Sequence, residues 1–245
     1  MSAVAVDAVP ADLRDRVILI TGAAGGLGAA AARAAAVAGA TVVLLGRKPA
    51  KLERLYDAVG ALGPEPLLYP LDLAGASPDD YAEMAARIGS ELGRLDGVLH
   101  CAADFPGLTP LEQADPAALA RSVHVNLTAR AWVSQACLPL LRQREDAALV
   151  FVLDDIERVG QAYWGGYGVA QHAQHGLVAS LHRETAAGPV RVAGLQPGPM
   201  RTPLRARAYL HEDDREAVEP QRYAQACVQL LAAQGAAHRG TVWRL

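Results

Sequence analysis

The segment Thr21-Gly22-Ala23-Ala24-Gly25-Gly26-Leu27-Gly28 constrains this chain more than any other. It follows a short apolar run, residues 17–20 (VILI), and opens an Ala-rich helical stretch, residues 27–38, which Gly39 stops. Glycines at a strand-to-helix turn let the backbone fold back tightly and present bare N–H groups. The helix N-terminus adds a positive dipole end that favours phosphate. That context points to a pyrophosphate cradle; a tight turn with no ligand is the plainer alternative.

The same rhythm continues along the chain. Further strands are expected at 41–45 (TVVLL), at 66–70 leading into Asp72, at 97–100, at 148–153 (ALVFVL), at 190–195 and at 240–244. Helices are expected at 48–62, 79–92, 116–141, 165–185 and 222–233. The apolar runs do not alternate with polar residues, which marks strands buried on both faces. The expectation is a doubly wound α/β fold of the Rossmann type, with a mostly parallel central sheet of about seven strands flanked by helices on both faces. Residues 16–245 read as one dinucleotide-binding domain, residues 1–15 as a flexible arm rather than a leader, and residues 201–220 as a substrate flap bounded by prolines.

Charge and cysteine content narrow the function classes. The net charge is −3, so no basic excess draws nucleic acid or anionic lipid. The apolar runs are interrupted well short of the roughly 18 residues that a membrane span needs. The three cysteines, Cys101, Cys137 and Cys227, form no Cys-x-x-Cys pair, so neither a metal site nor a disulfide framework is expected. They fit a reducing, cytoplasmic location.

The second strand ends in Leu45-Gly46-Arg47-Lys48. An NAD site of this architecture places an acid there to grip the ribose 2′-OH; here Gly46 takes that place and a guanidinium follows. Arg47 suits a 2′-phosphate, so NADP(H) is expected over NAD(H). Solvated charges at a helix start are the alternative.

The spacing Thr-Gly-x-x-x-Gly-x-Gly resembles the short-chain dehydrogenase/reductase family, and the reductases of 3-oxoacyl carrier protein in particular. Other motifs fall in the family's order over nearly the whole chain. Asp72-Leu73 resembles the adenine-contacting segment, and Asn126 in Val-Asn-Leu-Thr the active-site Asn. Tyr167 resembles the Tyr of Tyr-x-x-x-Lys, and Pro197-Gly198 with Thr202 the segment that holds the nicotinamide end. The resemblance implies cofactor contacts from Gly22, Gly25, Gly26, Leu27, Gly28, Arg47, Asp72, Leu73, Cys101, Pro197, Gly198 and Thr202. It implies hydride transfer between a nicotinamide and a small carbonyl or alcohol, with Tyr167 as acid or base, Asn126 beside a proton-relay water, and a homodimer or homotetramer packed on the two long helices.

Two catalytic positions depart from the pattern. Four residues after Tyr167 stands Gln171 instead of Lys, and thirteen residues before it stands Asp154 instead of Ser. The family's Asn-Asn-Ala-Gly reads His100-Cys101-Ala102-Ala103. A free phenol has a pKa of about 10 and a nearby cation lowers it, whereas an ionised Asp154 would raise it. Weak reductase activity is therefore expected; a catalytically inactive dinucleotide- or ligand-binding protein is the second reading. Arg158 is a candidate for the missing charge. His172 and His175 lie off the Tyr167 face of their helix. Tyr163 and Trp164 read equally as pocket lining or as core. Cys101 reads as an inert buried thiol, and Arg201, Arg205 and Arg207 as either solvated charges or contacts to an anionic, acyl-linked substrate.

Overall fold

Seven strands pair side by side, all parallel, in the order β3-β2-β1-β4-β5-β6-β7. They are β1 (Val17–Thr21), β2 (Thr41–Gly46), β3 (Leu67–Pro70), β4 (Gly97–His100), β5 (Ala147–Val152), β6 (Val190–Gln196) and β7 (Val242–Arg244). This computed structural model describes residues 11–209 and 216–245. The helices are α1 (Gly26–Val37), α2 (Pro49–Gly60), α3 (Pro78–Leu92), α4 (Pro116–Val123), α5 (Ala129–Leu141), α6 (Ile156–Val159), α7 (Gly165–Thr185) and α8 (Gln221–Leu231).

The non-alternating strands are buried on both faces, as their composition requires. Ile18, Ile20, Val42 and Leu44 face the layer built from α1, α2 and α8, whereas Leu19, Val43, Val98 and Leu149 face the layer of α3, α5 and α7. β1 pairs with β2 on one side and β4 on the other, so the winding direction reverses between β1 and β4. A crevice opens beyond the carboxyl ends of the strands at such a reversal, and ligands bind there.

Three local features differ from the sequence expectations. Residues 11–15, expected as part of the flexible arm, are anchored by Ala11 and Leu13: Leu13 is buried and its N–H donates to the Ala38 carbonyl, because an apolar residue there covers the end of α1. Residues 1–10, the rest of that arm, lie outside the described residues. The helix expected over 116–141 is interrupted by a π-helical turn, His124–Thr128, with Asn126 at its centre. Of the flap, residues 210–215 lie outside the described residues; Arg205–Arg207 forms a short 3-10 turn, and Met200 bridges Val218.

At the opposite end of the sheet, Asp146 bridges Arg16 and the buried Arg191. Burial pushes the Asp146 carboxyl up, but hydrogen bonds from Arg191 and Arg16 outweigh it and hold the group below the ordinary carboxylate value. A depressed folded-state pKa contributes stability that is present above the unfolded value of about 3.9 and is lost as pH falls through the folded one. Asp146→Ala strands two guanidinium groups and is expected to cost about 2–3 kcal/mol at neutral pH in urea unfolding. The deficit against the parent should shrink below pH 4.

Candidate active site

The carboxyl ends of β1, β2, β4, β5 and β6 surround a cleft of about 470 Å³. Its floor at one end is the glycine turn. Gly22 has φ +64, and a Cβ there would lie 2.6 Å from Ala102 Cα. A Cβ on Gly28 would lie 2.3 Å from the Gly22 carbonyl oxygen. Both positions must be glycine for α1 to begin this close to the sheet. No side chain caps α1, whose N-cap is Gly25, so the first-turn N–H groups face the cleft undressed. Gly22, Gly25, Gly26 and Leu27 line the cleft; Gly28 packs behind it. Arg47, Lys48 and Lys51 line the far rim, with Asp72 and Leu73 beside them. Bare amides at one point and a cluster of cations at another fit a dinucleotide with an extra phosphate.

The inner end holds a compact polar group. Tyr167 is buried, and its hydroxyl donates to Asp154 Oδ2 at 2.9 Å. Asp154 Oδ1 accepts a short hydrogen bond from Arg158 Nη2, an ion pair between residues four apart in sequence. Gln171 Oε1 accepts the Asp154 backbone N–H at 3.0 Å. Burial, then the charge of Asp154 and the hydrogen bond to it, push the Tyr167 phenol well above its ordinary value, against an opposite pull from Arg130 and Arg158. Tyr167 is therefore a neutral phenol whose proton already has an acceptor.

Arg158 does reach this centre, but it meets Asp154 rather than a Lys-like position. Asn126 does not line the cleft. Its Nδ2 donates to the Asp104 carbonyl at 2.6 Å and the Ser122 carbonyl at 2.7 Å, and its Oδ1 accepts the Asp104 N–H at 3.1 Å. It clasps the loop after β4 and so shapes the cleft wall. Cys101 lines the cleft, and burial raises its thiol to about 12, which leaves it unreactive. His100 is buried, stacks on Phe151 and shares a 3.0 Å hydrogen bond with Ser134 Oγ. Pro197, Gly198 and Thr202 line the cleft as expected; His172 and His175 do not.

Trp164 both lines the cleft and packs, stacked on Phe105 with ring centroids 5.0 Å apart, while Tyr163 is exposed with φ +79. Leu204, Ala208 and Tyr209 close on this aromatic group. Arg205 and Arg207 line the cleft; Arg201 instead pairs with Glu219 on the surface.

Phe105 and Arg130 are among the cleft residues that were not singled out from the sequence. Phe105 left no signal beyond its type. Arg130 did leave one: it is a charge inside the apolar run of Val125, Ala129, Val133 and Cys137, at a level of the helix that has to be buried.

The short chain dehydrogenase family profile matches residues 16–213. The Escherichia coli K12 oxidoreductase YciK, itself uncharacterised, is 36% identical over 209 residues, 85% of this chain and 82% of that protein. A Pseudomonas syringae structure designated a short chain dehydrogenase is 40% identical and superposes with a TM-score of 0.92 over 97% of each chain. A similarly designated Escherichia coli CFT073 structure, complexed with NADPH, is 33% identical with a TM-score of 0.91 over 97% of this chain and 99% of that one.

Proposed function

This chain belongs to the short chain dehydrogenase family, and from that premise we propose that it is an NADP(H)-dependent oxidoreductase of small carbonyl or alcohol compounds with slow turnover. One observation carries the reading: the bare glycine turn, the Arg47–Lys48–Lys51 rim and Tyr167 all face one continuous cleft. When bound, the nicotinamide supplies or receives the hydride. The chain's own residues do the rest. The first-turn amides of α1 hold the pyrophosphate, and Arg47 with its neighbours holds the 2′-phosphate. Asp72 and Leu73 bound the adenine side, and Pro197, Gly198 and Thr202 bound the opposite end.

Phe105, Trp164, Leu204 and Tyr209 give the substrate an apolar wall, and Arg205 and Arg207 support a substrate with an anionic, acyl-linked tail. Tyr167 stands where the substrate oxygen exchanges its proton. Its raised pKa keeps it protonated across physiological pH, so it acts as a donor, and a poor one while its hydroxyl donates to Asp154. Losing well-matched acid–base help lowers rates by about 10²–10⁴.

The competing reading, a dinucleotide binder without turnover, draws on the same Tyr167–Asp154 bond and on the uncharged Gln171. Titration with NADPH and NADH, followed by nicotinamide fluorescence and then by a panel of ketones and aldehydes, separates the two. NADPH binding with slow oxidation supports the oxidoreductase, binding with no turnover selects the binder, and no binding removes both. In the same assay Arg47→Ala is expected to weaken NADPH about tenfold or more and to leave NADH nearly unchanged.

The unpaired Cys101, Cys137 and Cys227 support a cytoplasmic setting. Among the described residues no helix is long and apolar enough to cross a membrane. The exposed Val169 on α7 supports assembly of two or four copies along the long helices.

A further inference from the structure

Among the described residues the largest fully buried side chain is a charged one, Arg130, 1% exposed at the start of α5. Its Nη1 donates to the Val152 carbonyl at 2.8 Å and to Gln174 Oε1 at 2.5 Å, and its Nη2 donates to the Ala102 carbonyl at 2.5 Å. All three acceptors are neutral. Arg130 Nε and Gln174 Nε2 are buried with no partner. Among the described residues no carboxylate pairs with this guanidinium, which is unusual for a charge taken so completely out of water.

Its place is equally specific. Val152 ends β5 and Ala102 follows β4, so the group sits across the carboxyl ends of two neighbouring strands. It lines the cleft together with Cys101, Ala102, Tyr167 and Gln171. The other charges around the inner end cancel or lie outward. Asp154 is matched by Arg158, Asp104 by Arg121, and Arg205 and Arg207 stand at the more exposed flap. Gln171, where the family carries a Lys, adds no charge. Burial lowers the Arg130 pKa to about 10, so the group stays cationic at neutral pH.

A fixed cation in a poorly screened site repels any further positive charge brought beside it. A nicotinamide ring is positively charged when oxidised and neutral when reduced. We propose that Arg130, the unbalanced charge of the inner cleft, makes this site selective for the oxidation state of its nucleotide, holding NADPH more tightly than NADP+. The proposal rests on the reading of the cleft as an NADP(H) site, but it is independent of turnover. A carbonyl-reducing enzyme would release its product NADP+ readily, and a non-catalytic binder would report the NADPH to NADP+ ratio.

Equilibrium titrations of the purified protein test it, with NADPH, NADP+ and the ring-less fragment 2′,5′-ADP as probes. The parent is expected to bind NADPH on the order of tenfold tighter than NADP+. Arg130→Met should bring the two affinities together, while Arg130→Lys should retain the gap, and 2′,5′-ADP should bind all three proteins alike. Equal affinity of the parent for the two oxidation states overturns the proposal, even if Arg130→Met does not fold. So does a full gap in a folded Arg130→Met. If neither NADPH nor 2′,5′-ADP binds the parent, it is the cofactor reading that fails, and the proposal with it.

Discussion

Replacing Asp154 with Ser and Gln171 with Lys together is expected to raise NADPH-dependent reduction of simple ketones by about 10²–10⁴-fold. In the parent the Tyr167 proton points at Asp154 Oδ2 and the adjacent helical turn offers only the neutral Gln171. Serine removes the competing carboxylate, and lysine adds a cation that favours the phenolate. Each change alone should yield less than its share. With Asp154 present, a new ammonium pairs with the carboxylate and the phenol stays engaged. With Gln171 present, the freed phenol is still raised by burial. The gain is thus a coupled one, to be read from the four proteins of a double-mutant cycle. Adding Tyr167→Phe to the active pair should abolish it. If the pair binds NADPH as the parent does and turns over no faster, loss of these two residues is not what limits the chemistry.

The second large effect concerns the turn itself. Gly28→Ala places a Cβ 2.3 Å from the Gly22 oxygen and 3.0 Å from the Gly22 carbonyl carbon, and both neighbours are backbone atoms that no rotamer change can clear. α1 has to move away from the turn. The expected cost is about 2–4 kcal/mol in urea unfolding, in the range of overpacking at a site that cannot relax. NADPH affinity should fall by two orders of magnitude or more, because the first-turn amides lose their aim. A variant that folds and binds NADPH like the parent would show that the contact between Gly28 and Gly22 is not needed.

Most of the fold was legible because it rests on short-range rules. The strand 17–20, the glycine turn and the helix after it were readable from adjacent residues, and the non-alternating runs fixed a parallel sheet. The site was legible only in part. The altered positions Asp154 and Gln171 were visible by spacing from Tyr167, but their hydrogen bonds were not. Whether Arg158 turned to Tyr167 or to Asp154 depended on a four-residue helix, α6, that carries no apolar pattern of its own. Asn126 was legible in a different way. Its motif marked the right place, yet both ends of its amide are taken by the loop at Asp104, a contact between residues 22 apart that local pattern does not encode. Arg130 was not read from the sequence, although a charge inside an apolar helical run was a signal that could have found it. Its partners left no such signal, since they come from β5, α7 and the loop after β4.

The π-helical turn at His124–Thr128 holds one residue more than an α-helical turn would. It therefore acts as an angular offset between two halves of what is otherwise one rod. Everything downstream is rotated by about 100° relative to an uninterrupted helix, the step of a single residue. Arg130, two residues past that turn, is the side chain that reaches the strand ends, at Val152 and Ala102. A relative that lacks the widened turn presents a different residue at the same height, so position-by-position matching across this stretch compares groups that do not occupy the same space.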